Sequence, residues 1–371
     1  MRVLFVTGLS DLPEAHLAKG LAARGVEVRI LASKKAIYFP IWEQAGLRVD
    51  RLEIHSRVDR AAVAALREAA SAFQPDVVHT FNTKALSSAL HAFKRESTPR
   101  IVAYRGTTGH LHWWDFAIRM SYLHSRVDAI SCVADAVRED LLRHKAPAEK
   151  LVTIRKGHRL EWYAGAAPPA RGELGLKDEA LVIGCIANMR AVKGIPVLLE
   201  AISLIPADIP VQVALVGEVR DHAVRAVQQV GSLAGRVVFT GYRADATRLI
   251  PLFDVFTMPS LDREGLPKAA VEAMAQGVPP VVSDAGGLPE LVEDGVSGLV
   301  VPAGCAKSLA DALARVLRDA ALRKQLAAGA RAQIAGRFSF DRTVGETLRL
   351  YERLCAGQPA SADAASVAPG L

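Results

Sequence analysis

Short β-branched runs alternate with helical segments along the whole chain, and this alternation constrains the fold more than any other feature. A helical stretch follows each run, for example from about Glu14 to Arg24, where Gly25 ends it. Such alternation is typical of βαβ units around a parallel sheet, so the chain is predicted to be an α/β protein. The runs are RVLFVTG, EVRILAS, DVVHTF, RIVAYRG and AISCVAD in the first half, and LVIGCIA, VQVALVG, VVFTGY, VFTMPS, PPVVSD and GLVVP in the second.

The length of 371 residues predicts two domains rather than one. A basic and Ala/Pro/Gly-rich segment between Ile154 and Leu176 is the predicted hinge. Ligands bind at the carboxyl ends of parallel strands, so two facing sheets would share one interdomain cleft. The predicted limits are 1–160 for the first domain, 161–338 for the second, 339–356 for an amphipathic helix returning to the first, and 357–371 for a disordered tail.

The formal net charge of +7 is compatible with nucleic acid, an anionic membrane surface or anionic substrates. No zinc finger, RNA-binding aromatic motif or basic helix is present, which argues against nucleic acid. MRVLFVTG has neither the length nor the cleavage site of a signal peptide, and no apolar stretch is long enough to span a bilayer. We therefore expect a cytoplasmic protein. The cysteines are far apart and mostly within apolar runs, which favours reduced core thiols over disulfides or zinc: Cys132, Cys185, Cys305 and Cys355.

The segment from Asp262 to Gly287 places two carboxylates eight residues apart around a Gly-Leu-Pro turn. Pro267 suits the first position of a helix, so Glu264 is predicted in the loop before it and Glu272 two turns inside it. A strand, a Gly-containing loop and a helix N-terminus together form an anion site. Taken alone, the pair is better explained as helix-start and surface carboxylates than as a ligand site.

The segment NMRAVKG, residues 188–194, lies between a predicted strand and a predicted helix. Its cations, Arg190 and Lys193, would stabilise the negative charge that grows on a diphosphate leaving group. A solvated basic loop is the alternative interpretation.

These segments, with Gly-Gly-Leu-Pro-Glu at 286–290, resemble the C-terminal half of family-four retaining glycosyltransferases (glycosyl transferases group 1). That family has the GT-B fold, two facing Rossmann-like domains. The resemblance implies that Glu264 contacts the sugar of a nucleotide diphosphate sugar donor, Glu272 its ribose, and Arg190 and Lys193 its diphosphate. It also implies further donor-side residues: Gly217 as a close-approach glycine beside the donor, Tyr242 near the nucleobase with Arg243 within reach of it, and Gly265, Leu266 and Pro267 in the turn. A half-buried strand position is an equal alternative for Tyr242.

The first half departs from the family at two places. Gly8 stands alone where relatives carry Gly-Gly against the donor phosphates, and Arg105 stands where many relatives have a histidine. An arginine cannot act as a general base, so Arg105 is predicted to bind a phosphate or an anionic acceptor. His110, in the same loop, is a candidate to occupy the missing ring's space. His79 is predicted on the acceptor side.

The sequence thus predicts a retaining hexosyltransferase that transfers a sugar to a saccharide or lipid-linked saccharide of the bacterial cell envelope, such as lipopolysaccharide. No cofactor or metal is expected, because the chain has no Asp-x-Asp. The basic charge suggests contact with an anionic membrane, with Trp113 and Trp114 as anchors, although a helix core also explains them. A nucleotide-sugar epimerase and a catalytically silent nucleotide-sugar-binding protein are the alternatives. The absence of G-x-G-x-x-G disfavours a dinucleotide oxidoreductase.

Overall fold

The computed structural model describes residues 1–93, 99–109, 119–165, 167–220, 233 and 235–361. Contacts divide the chain into two compact units, Met1–Gly157 with Phe340–Leu371, and His158–Ser339. The first unit's main segment ends at residue 157, where the sequence predicts 160, and the second unit ends at residue 339, where the sequence predicts 338. Each unit contains one parallel sheet flanked by helices, as the sequence predicts.

In the described residues of the first unit, seven strands form a parallel sheet in the order β3-β2-β1-β4-β5-β6-β7. Val3 pairs with Val28 on one side and Val77 on the other, so β1 is an interior strand of the sheet. The strands are β1 (Arg2–Val6), β2 (Glu27–Ala32), β3 (Arg48–Arg51), β4 (Val77–Thr80), β5 (Arg100–Arg105), β6 (Ala129–Cys132) and β7 (Leu151–Thr153). The helices are α1 (Leu12–Ala22), α2 (Phe39–Gln44), α3 (Arg60–Phe73), α4 (Thr83–Ala92) and α5 (Asp135–Arg143), joined by α11 (Phe340–Cys355).

In the described residues of the second unit, six parallel strands take the order β10-β9-β8-β11-β12-β13. This is the doubly wound order: successive strands are added towards one edge of the sheet up to β10 and towards the other edge from β11 onwards, so the strand order reverses between β8 and β11. The strands are β8 (Leu181–Ile186), β9 (Val211–Val216), β10 (Val237–Gly241), β11 (Val255–Met258), β12 (Pro280–Ser283) and β13 (Leu299–Val301). The helices are α6 (Ile195–Leu204), α7 (Lys268–Ala275), α8 (Leu288–Leu291), α9 (Ala306–Arg318) and α10 (Ala320–Ala335).

All eleven predicted strands are present, and the structure adds β3 and β7. Both added strands lie at the edges of the first sheet and are short. β3 reads RVDR and is half-exposed, so it lacks the apolar run that identifies a buried strand. Edge strands of this kind are commonly short and charged, which limits unwanted pairing with other chains.

The core of the second unit has one apolar cluster on each face of the sheet. Val182 belongs to one cluster and Ile183 to the other, because successive strand side chains point to opposite faces. Gly184 follows Ile183 in the same strand and has no side chain to contribute to either cluster. A Cβ at this position would lie 2.0 Å from the Phe253 ring. The glycine therefore gives Phe253 room to pack against the strand.

Helix α11 belongs to the first unit, although it follows the whole of the second in sequence. Gly20 of α1 allows a close approach, since a Cβ there would lie 2.7 Å from Val344 of α11. Residues 357–361 lie within the predicted disordered tail, yet the backbone N–H of Ala360 donates to Glu149 over 3.0 Å. That part of the prediction is wrong, and residues 362–371 lie outside the described part of the chain.

The four cysteines are free thiols, but only Cys132 and Cys185 are buried. Burial raises the pKa of both thiols to about 12, so they remain protonated. Cys305 is partly exposed and Cys355 is exposed, which corrects the expectation of core positions for these two. Cys305 is the N-cap residue before α9 and Cys355 is the last residue of α11, so neither lies in a buried strand.

Candidate functional site

The strongest candidate site lies at the carboxyl ends of β8 and β11, two adjacent strands of the second sheet. The loop 187–194 leaves β8 and the loop 259–267 leaves β11. The strand order reverses between these two strands, and this is where doubly wound sheets bind ligands. Both sequence segments that carry the family resemblance therefore meet at the predicted edge of the sheet.

Lys193 and Glu264 form an ion pair in this site, with 2.5 Å between Nζ and Oε1. The same carboxylate oxygen accepts a hydrogen bond of 2.5 Å from the hydroxyl of Ser260. Glu264 and Ser260 are buried, while about a quarter of the Lys193 side chain is exposed. The buried carboxylate is thus paired with the ammonium of Lys193, which remains partly exposed and within reach of a ligand.

Two glycines fix the backbone around this pair. Gly194 has φ +69, and a Cβ there would lie 1.8 Å from the carbonyl oxygen of Pro259. Gly286 has φ +56, and its Cβ would lie 2.2 Å from the carbonyl oxygen of Glu264. Gly287 donates its N–H to that same carbonyl over 3.1 Å. The Lys-Gly and Gly-Gly elements are therefore required because three loops approach each other backbone to backbone.

Helix α7 begins directly after this loop, with Pro267 as its N-cap rather than its first residue. Glu272 is the fifth residue of α7, just over one turn inside instead of the predicted two. It is buried and lies 3.5 Å from the ammonium of Lys268. The turn that precedes the helix is formed by Gly265, Leu266 and Pro267, whose placement leaves the first N–H groups of α7 at the site.

Arg190 caps the 3₁₀ turn Ala191–Lys193 and has an exposed side chain. Its carbonyl accepts the N–H of Lys193 over 2.9 Å, so the two cations share one rigid turn. The exposed guanidinium and the half-buried ammonium together give this loop a concentrated positive charge.

The remaining donor-side candidates are placed less uniformly. Gly217 has φ +139, and a Cβ there would lie 1.9 Å from the carbonyl of Ala187, so the chain itself requires this glycine. Tyr242 follows β10 and is 76% exposed, so the alternative of a half-buried strand residue is wrong. Arg243 donates twice to Asp245, each over 2.8 Å, which lowers the pKa of Asp245. The nucleobase contacts of these residues stay predictions.

In the first unit, Arg105 ends β5 and packs within the unit. Its Nη2 donates to the Gly109 carbonyl over 2.7 Å, and the guanidinium lies 5.2 Å from the centre of the Tyr122 ring. Its Nε is buried and makes no hydrogen bond within the described part of the chain. An anion contact by Arg105 stays a prediction. His110 lies outside the described residues, as do Trp113 and Trp114.

His79 is buried in β4, and its place on the acceptor side stays a prediction. Its Nδ1 lies 2.6 Å from the hydroxyl of Tyr351 on α11, and its ring stacks on Phe81. Burial lowers the pKa of His79 to about 3, so the ring is neutral at physiological pH. Its main interaction therefore attaches α11 to the sheet.

Sequence reasoning missed a partly buried charged cluster at the carboxyl end of β1. Lys156 donates to Asp11 over 2.8 Å and lies 3.8 Å from Glu14, while Glu14 accepts from the Thr7 hydroxyl. Burial raises the pKa of Glu14 to about 7, against the opposing charge of Lys156. The one available signal was Asp11-Leu-Pro-Glu14, a helix start in which Asp11 caps the N–H of Glu14 over 3.0 Å. Gly8 lies just before it with no backbone requirement for glycine.

Glu14→Gln is expected to alter how stability depends on pH. The folded chain binds more protons than the unfolded chain between the ordinary pKa of 4.5 and the raised value of about 7. Wild-type stability should therefore fall as pH rises through that window, and the glutamine variant should lack this loss. Urea unfolding of both proteins from about pH 5 to about pH 8 measures it. Exposed Glu27→Gln is the control, and a pH-independent difference between Glu14→Gln and wild type would contradict the raised pKa.

Among the described residues, none of the helices combines the length and the apolar character needed to cross a membrane.

Two family models match this chain in sequence. The glycosyl transferase 4-like domain matches residues 15–157, and the glycosyl transferases group 1 domain matches residues 180–319. Together they cover well over half of the 371 residues. The match to the second unit includes Arg190, Lys193, Glu264 and Glu272.

Similar proteins include a phosphatidyl-myo-inositol mannosyltransferase of Mycobacterium leprae, which is 29% identical over 91% of this chain and 91% of its own length. The lipopolysaccharide core biosynthesis glycosyltransferase LpsE of Rhizobium meliloti is 27% identical over 90% of this chain and 93% of its own. A D-inositol 3-phosphate glycosyltransferase of Saccharomonospora viridis is 32% identical, but over 62% of this chain and 57% of its own.

Solved structures show the same fold. A glycosyltransferase from Rickettsia africae matches with a TM-score of 0.79 over 96% of this chain and 98% of its own, at 16% identity. Anabaena HepE in complex with UDP-glucose matches with a TM-score of 0.76 over 94% of this chain and 99% of its own, at 22% identity. With two parallel sheets of the GT-B type and both family domains in order, this chain belongs to the family-four glycosyltransferases, the glycosyl transferases group 1.

Proposed function

We propose that this glycosyltransferase is a retaining, metal-independent hexosyltransferase that uses a nucleotide diphosphate sugar bound by the second unit. The observation that carries the proposal is the Lys193–Glu264 pair at the strand-order reversal, with Arg190 on the same turn. The position of these three charged side chains supports a binding site for a ligand in which an anionic group, such as a diphosphate, is attached to a sugar.

The proposed chemistry follows from the charges present. The bond between the sugar C1 and the diphosphate oxygen breaks, and the leaving group gains negative charge that Lys193 and Arg190 stabilise. The acceptor hydroxyl oxygen forms the new bond to C1 on the same face, and its proton passes to the leaving phosphate oxygen. Glu264 pairs with the ammonium of Lys193, and its carboxylate is proposed to accept a hydrogen bond from a hydroxyl group of the donor sugar.

Independence from metal is proposed because fixed side-chain cations occupy the place where a divalent ion would otherwise neutralise the diphosphate. The absence of Asp-x-Asp from the sequence agrees with this. The N-terminus of α7 would supply further positive potential at the same site.

The acceptor is proposed to be a saccharide or lipid-linked saccharide of the bacterial cell envelope, reached from the cytoplasmic side. Support comes from the relatives, whose names specify lipopolysaccharide core biosynthesis and mannosyl transfer to phosphatidyl-myo-inositol. HepE was solved with UDP-glucose, which makes UDP-sugars the first donors to test.

The test begins with thermal shifts against nucleoside diphosphates and their sugars, because a bound ligand raises stability by mass action. The stabilising donor is then incubated with EDTA and a candidate envelope acceptor, and the products are weighed by mass spectrometry. Transfer would give an acceptor heavier by one sugar with retained anomeric configuration. A donor isomer formed without acceptor would instead indicate the epimerase, and binding with neither transfer nor hydrolysis the silent binding protein.

Glu272→Ala and Glu264→Ala are expected to separate binding from turnover. Loss of the proposed ribose contact in Glu272→Ala should weaken affinity for the nucleoside diphosphate with a smaller effect on kcat, whereas Glu264→Ala should mainly lower kcat. Calorimetric affinity and steady-state rates of both variants measure this. Glu200→Ala, which removes an exposed carboxylate of α6 in the same unit, is the control. Equal nucleotide affinity in wild type and Glu272→Ala would contradict the ribose contact.

A further inference from the structure

Ser260 lies where the loop after β11 contacts both β12 and the turn after β8. Its side chain is fully buried, and its hydroxyl donates to Oε1 of Glu264 over 2.5 Å. Its carbonyl oxygen accepts the hydroxyl of Ser283, the last residue of β12, over 2.5 Å. The next N–H, that of Leu261, donates to the carbonyl of Val192 in the 3₁₀ turn after β8, over 2.8 Å. The backbone of Ser260 is therefore held by two neighbouring elements.

The two donors that meet at Oε1 of Glu264 differ in how firmly they are held. The ammonium of Lys193 is partly exposed and stands at the end of a flexible four-carbon chain, so it can follow the carboxylate when the carboxylate rotates. The hydroxyl of Ser260 is one carbon away from a fixed backbone, so it stays in place. The lysine thus attracts the carboxylate, whereas the serine sets its direction.

These two hydrogen bonds also direct a ligand to one oxygen of the carboxylate. Each carboxylate oxygen has about two lone pairs, and the donors Lys193 and Ser260 use both lone pairs of Oε1. A hydroxyl group of the donor sugar is therefore directed to Oε2 of Glu264.

We propose that Ser260 is a positioning residue for glycosyl transfer: its hydroxyl fixes the carboxylate of Glu264 so that Oε2 meets a hydroxyl group of the donor sugar. The inference rests on the proposed function, in which Glu264 contacts that sugar. Ser260 itself contacts neither the sugar nor the diphosphate, because its side chain is fully buried. Loss of its hydroxyl should therefore act on turnover through Glu264.

The test is a double-mutant cycle of Ser260→Ala and Glu264→Ala, in which kcat is measured with UDP-glucose or with the nucleotide sugar that thermal shifts select in its place. Ser260→Ala alone should lower kcat by about tenfold, the scale of one lost hydrogen bond to a charged group. Added to Glu264→Ala, it should lower kcat no further, because its partner is already gone. Ser297→Ala is the matched control and should turn over like wild type. Ser297 is also buried and accepts the N–H of Glu293 over 2.8 Å, but it precedes β13, at the opposite edge of the sheet.

Ligand binding and two further variants separate positioning from a general loss of structure. Affinity for UDP should be unchanged in Ser260→Ala, whereas the gain in affinity from UDP to UDP-glucose should shrink, because Glu264 is proposed to contact the sugar. Ser260→Thr keeps the hydroxyl and should retain most of the turnover. Ser283→Ala removes the donor to the Ser260 carbonyl and should lower kcat less than Ser260→Ala does. Thermal unfolding establishes that each variant is folded, and Ser283→Ala takes the place of Ser260→Ala in the cycle if the latter does not fold.

The outcomes distinguish this inference from the proposed function. Wild-type kcat in folded Ser260→Ala, or an equal further loss when it is added to Glu264→Ala, would overturn the positioning role while leaving the role of Glu264 intact. Equal losses of affinity for UDP and for UDP-glucose would overturn it as well. Wild-type kcat in Glu264→Ala, or no transfer from any donor, would instead contradict the proposed function and the positioning role with it.

Discussion

Lys193→Ala is expected to lower kcat by about a hundredfold or more, the usual scale of losing one preorganised charge partner of a transition state. The ammonium lies 2.5 Å from Glu264 on a turn fixed by Gly194, so its position is set before a donor binds. Steady-state rates with the donor identified by thermal shift measure the effect. Arg190→Ala, which removes the exposed cation of the same turn, should lower kcat in the same direction.

Stability and catalysis can be separated in this prediction. Lys193→Ala removes the ammonium that pairs with the buried carboxylate of Glu264, which costs roughly 3 kcal/mol of folding free energy. The double variant Lys193→Ala/Glu264→Gln should recover most of that stability but not the rate. Lys307→Ala, which removes an exposed lysine paired with Asp311, is the control and should change neither. Wild-type turnover in a folded Lys193→Ala protein would exclude a role in stabilising the leaving group.

The fold was predictable where burial shapes the sequence. The eleven predicted strands are apolar runs, and their alternation with helices requires parallel sheets. The edge strands β3 and β7 were not predictable, because a strand with one neighbour can be short and polar, as RVDR is. Tyr242 shows the reverse case, since an aromatic residue next to a strand is 76% exposed. The sequence around one aromatic residue does not show whether it is the last buried residue of a strand or the first exposed residue of the loop that follows.

The residues of the candidate site could be predicted from sequence motifs, but the contacts between their side chains could not. Lys193 and Glu264 are 71 residues apart, and no local pattern indicates that their side chains meet. Ser260, which donates to the same carboxylate oxygen, carries no recognisable motif. The charged cluster of Asp11, Glu14 and Lys156 was missed because Lys156 is 145 residues from Asp11 and stands in a segment that reads as a hinge. Such pairings depend on the sheet order, which the sequence alone does not specify.

Gly194→Ala is expected to damage both stability and catalysis. The residue has φ +69, and its new Cβ would lie 1.8 Å from the backbone oxygen of Pro259, an atom that cannot rotate away. Left-handed strain and overpacking together should cost roughly 3 kcal/mol or more. Relief of the clash must move the turn that carries Lys193 or the loop that carries Ser260. Urea unfolding and kcat of the same variant therefore report on one displacement.

The matched control for this prediction is Gly295→Ala. Gly295 has φ +72, close to that of Gly194, but an added Cβ would meet no heavy atom within 4 Å. Gly295→Ala therefore carries the backbone strain alone, about 1–2 kcal/mol, and should leave kcat unchanged. The difference between the two variants isolates the contact with Pro259. If both alanine variants lose the same free energy of unfolding and Gly194→Ala retains wild-type turnover, the loop after β11 moves to accommodate the new Cβ without a free-energy cost. The close approach of Gly194 would then not be what positions Lys193 against Glu264.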